Sequence, residues 1–259
     1  MITTTSLDGT TLAIDITGTG PALIIAAGAF CDRQSKKGLA ALLADRFTVH
    51  EYDRRGRGDS GPLGENSVQR EIEDLAAVVA RIDEEPFIFG DSSGGALAIA
   101  AAAAAAGVGL RKIAVYEPPF TPGPSNDVAE QLSSLVTEGD NSGAVELFLG
   151  LMGTPEQAIR GMRQGPYWGH LEALAHTLPI DVRLCNNGQV PEEQLARIQA
   201  PLLAIAGGNS PWAPDVMAAV ADHAPHGESR VLAGHGHAVP DEILSEVLSA
   251  YFGAENPKP

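Results

Sequence analysis

Basic residues are scarce in this chain: 17 Lys and Arg face 33 Asp and Glu, a formal net charge of -16. A field of that sign repels phosphate backbones and anionic lipid headgroups, so neither nucleic acid nor a membrane surface is an expected partner. Cysteine is nearly absent. Cys31 and Cys185 lie in different segments with no paired spacing, which argues against a disulfide framework or a thiolate metal site; both are read as reduced thiols. Long apolar runs are missing too. The blandest stretch, Ala96 to Ala106, is alanine broken by Leu97 and Ile99, a buried helix too short for a bilayer crossing of about 20 residues. Met1 to Gly9 carries neither the basic start nor the apolar run of a signal peptide. A soluble, cytoplasmic protein is expected. With 259 residues, 44% of them hydrophobic, one large core is favoured.

What is present is an alternation. Ile2 to Ser6 and Thr11 to Ile16 flank Asp8-Gly9, a dipeptide suited to the positive φ angles of a hairpin turn. Apolar runs follow at Ala22 to Ala27, Thr48 to Tyr52, Phe87 to Phe89, Ile113 to Tyr116, Leu202 to Ala206 and Arg230 to Leu232. They read as buried parallel strands. Helical patterns separate them: Leu39 to Asp45, Ser67 to Ile82, Gly94 to Ala106, Pro214 to His223 and Pro240 to Phe252. The predicted class is α/β, with a mostly parallel sheet and helices on both faces.

Residues 118–198 break the pattern. They open on Pro118-Pro119-Phe120-Thr121-Pro122-Gly123-Pro124, which cannot continue a ladder. Helical stretches follow at Asn126 to Glu138, Ser142 to Met152, Pro155 to Gln164, Pro166 to Thr177 and Glu192 to Ile198, with no convincing strand. The expected division is a core of residues 1–117 and 199–259 with a helical cap over residues 118–198.

Phe87-Ile88-Phe89-Gly90-Asp91-Ser92-Ser93-Gly94-Gly95 precedes the alanine-rich helix. Glycines two residues either side of Ser92 permit a sharp strand-to-helix turn that presents its hydroxyl. Shifting the frame to Ser93 puts Asp91 where a small residue is needed, and shifting it to Asp91 puts Phe89 there. Together with the hairpin, the strand ending in Gly28-Ala29-Phe30, the loop Asp53-Arg54-Arg55-Gly56-Arg57-Gly58-Asp59-Ser60 and the late Gly236-His237, this serine turn resembles the α/β-hydrolase superfamily, over almost the whole chain.

The resemblance implies a serine nucleophile, Ser92, and a base, His237, with His235 as its neighbour and rival. The acid that orients the base usually follows the penultimate strand. Here that position reads Gly207-Gly208-Asn209-Ser210-Pro211, without a carboxylate. Glu117, directly after the strand Ile113 to Tyr116, is the leading candidate, and some superfamily members resemble this arrangement. Asp215 and a two-residue Ser-His machine are the alternatives. Ala29 and Ser93 N-H groups fit an oxyanion hole, with Phe30 competing for the first place. Phe30, Trp168 and Trp212 are the expected substrate contacts.

The Arg-rich loop is read as a charged loop fastening its neighbours rather than as an anion site. No phosphate loop is present, since Gly18-Thr19-Gly20-Pro21 lacks the lysine and the following helix. No metal or other cofactor is expected, since His235-Gly236-His237 has no evident third ligand. The functional expectation is hydrolysis of an ester or lactone in a small, mostly apolar molecule through an acyl-enzyme. A cyclase, lyase or thioesterase-like enzyme and a ligand receptor with little turnover are the alternatives. A homodimer is left open.

Overall fold

The computed structural model describes residues 1–61, 64, 67–104, 108–121 and 127–253. Eight strands form one sheet: β1 (Ile2–Thr5), β2 (Thr11–Thr17), β3 (Ala22–Ala26), β4 (Thr48–Tyr52), β5 (Phe87–Asp91), β6 (Lys112–Tyr116), β7 (Leu202–Gly207) and β8 (Gly227–Leu232). Their spatial order is β1-β2-β4-β3-β5-β6-β7-β8. The hairpin β1-β2 and the β2-β4 pair are antiparallel, and every other pairing is parallel. The α/β class expected from the sequence is therefore present. β8 begins three residues before the expected Arg230. Its residues Gly227 to Val231 are largely solvent-exposed, so an edge strand carries no apolar run to betray it.

The parallel strands read as continuous apolar runs because both faces are covered. Ile24, Ile88, Ile113 and Ala204 point to one layer of side chains, where they meet Leu75 and Val78 of α2 (Val68–Val79), Leu97 of α3 (Ser93–Ala103) and Met217 of α10 (Ala213–His223). Leu23, Phe89, Ala114 and Leu203, one residue out of phase, meet Leu39 of α1 (Lys37–Leu43) and Leu248 of α11 (Asp241–Gly253) on the other face. That inversion every second residue is the strand period itself.

The connection β3-α1-β4 turns toward one edge of the sheet and β4-α2-β5 returns past β3 toward the other. Between β3 and β5 the strand order reverses, and such a switch point opens a crevice at the carboxyl ends of the strands. The pairing Ala26 with Gly90 brings the loops after β3 and β5 side by side there. Alanine and glycine in α3 let that helix press on the sheet: a Cβ at Gly94 would lie 2.0 Å from Ala26 O.

Between β6 and β7 the described residues hold only helices: α4 (Asp127–Thr137), α5 (Asn141–Leu151), α6 (Glu156–Arg163), α7 (Trp168–Leu174), α8 (Leu178–Leu184) and α9 (Glu192–Leu195), with 3-10 turns after α7 and α8. Leu132, Val145, Phe148, Trp168, Leu171 and Leu178 give this insertion its own apolar centre. No element is expected between Thr177 and Glu192, yet α8 stands there. Pro179 sits in its first turn, where the missing N-H costs nothing. The expected helix ends at Ala105, Ala106 and Asn126, and the Pro122-Gly123-Pro124 part of the entrance, lie outside the described residues.

Candidate active site

Ser92 occupies the turn between β5 and α3 with φ 53° and ψ -123°. A side chain rarely adopts positive φ, and a serine held there signals a conformation imposed by its surroundings. Ser92 N donates to Tyr116 O at 2.9 Å, which locks the turn to β6. Lys36 Nζ, 2.6 Å from Asp91, ties down the other side. Among the described residues the Ser92 hydroxyl makes no hydrogen bond.

The structure joins His237 to Glu117, with Nδ1 and Oε2 2.7 Å apart. Glu117 lies one residue past β6, also at positive φ, 44°. Its N-H donates to Ile205 O at 3.0 Å, extending the β6-β7 ladder, while its Oε1 accepts from Gly207 N at 2.7 Å. The carboxylate is thus buried, with each oxygen engaged. Burial pushes its pKa up, but hydrogen bonds from His237, Ser210 and Gly207 outweigh burial and hold it below the ordinary glutamate value. The same hydrogen bond is the main reason that the His237 pKa is raised. With Nδ1-H given to the carboxylate, Nε2 is the ring nitrogen left with a lone pair.

Asn209 in the loop after β7 donates its N-H to His235 O at 2.8 Å, so that loop braces the histidine loop through the backbone and supplies no acid. Asp215 is exposed in the first turn of α10, and the partner of His237 is Glu117. Tyr116 O-H donates to Gly236 O, a further tie between β6 and the histidine loop.

Ala29, Ser92 and Ser93 line one cavity of about 270 Å³, closed by Phe148, Leu151 and Met152 of the insertion. Among the described residues neither Ala29 N-H nor Ser93 N-H has a hydrogen-bond partner. Ser93 opens α3, where the first N-H groups have no carbonyl within the helix. Gly28 leaves the space that brings these groups together: a Cβ there would approach Asp91 O and Ser92 Cβ to 3.0 Å.

The three expected aromatic contacts do not line this cavity. Phe30, at φ 58°, stands edge-on to Phe148 with ring centroids 5.3 Å apart and backs the wall from behind. Trp168 is buried inside the insertion, its indole N-H reaching Ser142 Oγ at 2.9 Å and Glu172 Oε1 at 3.1 Å. A buried indole needs such a partner, and having found it within the insertion the ring packs there. Trp212 precedes α10 and packs against the sheet's core. Cavity residues that sequence reasoning did not single out include Pro119, Leu151 and Val182. Cys185 lines it too, but burial pushes its thiol pKa far up, so it acts there as an apolar group.

Asp181 is the polar group that sequence reasoning missed. It lies on α8, almost wholly buried, and pairs with Arg54 at 2.9 Å and Arg57 at 2.9 Å. Arg54 also bonds Glu71 of α2 at 3.0 Å, and Arg55 holds Asp74 and Asp8. The Arg-rich loop therefore fastens its surroundings, and one of its anchors lies far along the chain. An acid flanked by Leu178, Pro179, Ile180 and Val182 was the available signal, because a buried charge requires a partner. Among the described residues no group of three or more His, Cys, Asp and Glu side chains could hold a metal ion, and no helix is long and apolar enough to cross a membrane.

A solved alpha/beta hydrolase from Sphaerobacter thermophilus superposes with a TM-score of 0.87 at 37% identity, over 97% of this chain and 100% of that one. A thermophilic esterase from Thermogutta terrifontis, with malate bound, gives 0.75 at 22% identity over 97% of each chain. A 2-hydroxy-6-oxo-6-phenylhexa-2,4-dienoate hydrolase from Rhodococcus gives 0.68 at 19% identity, over 98% of this chain and 99% of that one. At those last two identities the likeness is one of fold. A sequence model of the alpha/beta hydrolase family matches residues 17–246, which hold β3 to β8, the insertion and part of α11, and the chain belongs to that family.

Proposed function

We propose that this hydrolase cleaves an ester or lactone bond in a small, uncharged, mostly apolar molecule, with Ser92 as nucleophile, His237 as base and Glu117 as the acid that orients it. The observation that carries this reading is the 2.7 Å contact between His237 Nδ1 and Glu117 Oε2 at the strand edge where Ser92 is held at φ 53°.

Ser92 Oγ bonds to the carbonyl carbon as its proton passes to His237 Nε2, and the carbonyl π pair moves onto oxygen. Ala29 and Ser93 N-H groups receive that oxyanion. The carbon-oxygen bond to the leaving group then breaks, the alkoxide taking the proton from His237. Water attacks the acyl-enzyme by the same route and restores the serine.

The walls support this substrate class. Phe148, Leu151, Met152 and Val182 are apolar, Asp181, the one charged side chain among the described lining residues, is paired with Arg54 and Arg57, and no Lys or Arg among them lines the cavity to pair with a carboxylate. The volume of about 270 Å³ falls just below the usual range of small-molecule pockets, about 300–1,000 Å³. The helices between β6 and β7 serve as the cap that sets acyl size.

A fluorophosphonate should label the wild-type protein and not Ser92→Ala, and a panel of p-nitrophenyl esters and lactones should show turnover with short acyl groups. An unlabelled wild type would favour the second reading, a ligand receptor with little turnover. The free Ser92 hydroxyl is the observation on that side, although such contacts often tighten only when substrate binds.

A further inference from the structure

The geometry points to Asp181 of α8 as a positioning residue that aligns both oxyanion donors from within the insertion. This rests on the serine-hydrolase reading above, because an oxyanion hole matters only if an oxyanion forms.

Asp181 reaches the two donors by separate routes. On one side its Oδ1 accepts from Ser93 Oγ at 2.8 Å, and Arg54 Nη1 donates to the same Ser93 Oγ at 3.3 Å. Fixing that hydroxyl fixes the side-chain torsion of Ser93, which lines the cavity and whose backbone N-H has no partner among the described residues. On the other side both Asp181 oxygens accept from Arg57 Nη2 at 2.9 Å, and Arg57 Nη1 donates to Gly28 O at 2.7 Å. Gly28 C=O and Ala29 N-H belong to one planar trans peptide and point in opposite directions. Pulling the carbonyl toward Arg57 turns Ala29 N-H away from it, toward the cavity that Ala29 lines with Ser92 and Ser93.

The cluster is an expensive way to fasten a helix. Arg54, Arg57 and Asp181 are all nearly inaccessible to solvent, and Arg57 Nε is buried without a partner among the described residues. Apolar packing holds helices at lower cost than desolvated ion pairs. What apolar packing does not supply is orientation of a carbonyl and a hydroxyl. The insertion thereby does more than shape the pocket: α8 carries the anchor that keeps two peptide groups aimed at one point, and preorganised aim is the source of oxyanion stabilisation.

The test compares wild type, Asp181→Asn, Ser93→Ala and Arg57→Lys with p-nitrophenyl butyrate as substrate and a trifluoromethyl ketone as tetrahedral analogue. Ser93→Ala keeps its backbone N-H and the Arg-Asp pairs, so it folds even where Asp181→Asn, which leaves two buried cations short of a partner, does not. Ser93→Ala should lower kcat about tenfold and weaken the ketone about tenfold, with KM nearly unchanged. Arg57→Lys should do the same, since a point charge lacks the planar fork that sets one nitrogen on Gly28 O and the other on the carboxylate. Folded Asp181→Asn should lose about a hundredfold in both, on the scale of removing one donor outright. In all three the acid limb of the pH profile should stay in place, because the His237-Glu117 pair is untouched. Unaltered kcat and ketone affinity in folded variants, a loss confined to KM, or a displaced acid limb would each overturn the proposal. A wild type that neither labels with fluorophosphonate nor turns over any ester is a different failure: it removes the serine-hydrolase reading and the proposal with it.

Discussion

Glu117 and His237 meet at 2.7 Å because β6, and not β7, carries the carboxylate at the sheet's edge. β6 runs beside β5, so the carboxylate stands one strand nearer the Ser92 turn than the loop of β7 would have put it. The space after β7 holds instead Gly207, Gly208 and Asn209, which donate backbone N-H groups to Glu117, Leu232 and His235. The carboxylate thus stands one strand away from the loop after β7, and that loop gives backbone hydrogen bonds in place of an acid.

Glu117→Gln should lower kcat/KM about a hundredfold or more, the range expected when a base loses the group that sets its tautomer. Asp215→Asn should leave it near wild type. Steady-state kinetics on one chromogenic ester decides between them, and a reversed pattern would move the acid to α10.

The acid limb of kcat/KM should lie above the ordinary imidazole value of about 6.5, because Glu117 raises the His237 pKa. In the proposed mechanism His237 must be neutral to take the Ser92 proton, so activity should be present above the raised pKa and lost as pH falls through it. In Glu117→Gln the residual activity should show this limb at lower pH. A limb that does not move would mean another group sets it.

Carboxylates also govern acid stability. The Asp181 pKa is lowered: burial raises it, but Arg57 and Arg54 outweigh burial. A depressed carboxylate contributes stability in full above its unfolded value of about 3.9 and loses that contribution as pH falls through the folded value. Thermal melts from pH 6 downward, that is, from about two units above the unfolded value, should therefore show less acid sensitivity in a folded Asp181→Asn than in wild type.

Gly94→Ala should fail to give stable protein, since the added methyl would lie 2.0 Å from Ala26 O and only backbone movement can relieve it. Overpacking of this kind costs about 1–3 kcal/mol or more. Gly28→Ala meets its neighbours at 3.0 Å, so it should fold and lose turnover. Thermal denaturation read beside ester hydrolysis separates the two effects.

Met152→Ala should extend the accepted acyl chain, because Met152 lines the cavity and is 45% exposed, so its removal opens a wall without emptying a core. Trp168→Phe should leave the acyl-length profile alone and lower stability by about 1–2 kcal/mol through the lost indole hydrogen bonds. A series of p-nitrophenyl esters and a melting curve for each variant test both.

Chain-local patterns carried much of this. Continuous apolar runs marked β3 to β7 because strands covered on both faces are mostly apolar, and the glycines around Ser92 announced a turn that other residues cannot make. Glu117 was legible as an edge residue because it follows such a run directly. β8 was only partly legible, since its exposed residues need not be apolar, and α8 carries Pro179, Asp181 and Arg183 among its apolar residues, which leaves no clear helical pattern.

Residue order by itself therefore determined the α/β class, the place where each strand ends to within two residues, and which hydroxyl, imidazole and carboxylates stand near those ends, because these follow from steric and hydrophobic rules acting over a few neighbours. The tertiary structure decided the rest. It chose Glu117 over Asp215 as the neighbour of His237 across 120 residues, drew Trp168 and Trp212 into packing rather than the cavity wall, and set Asp181 between Arg54 and Arg57 across 127 and 124 residues. Buried charges and indole N-H groups take whichever partner the folded chain brings within about 3 Å, and no local pattern records which one that will be.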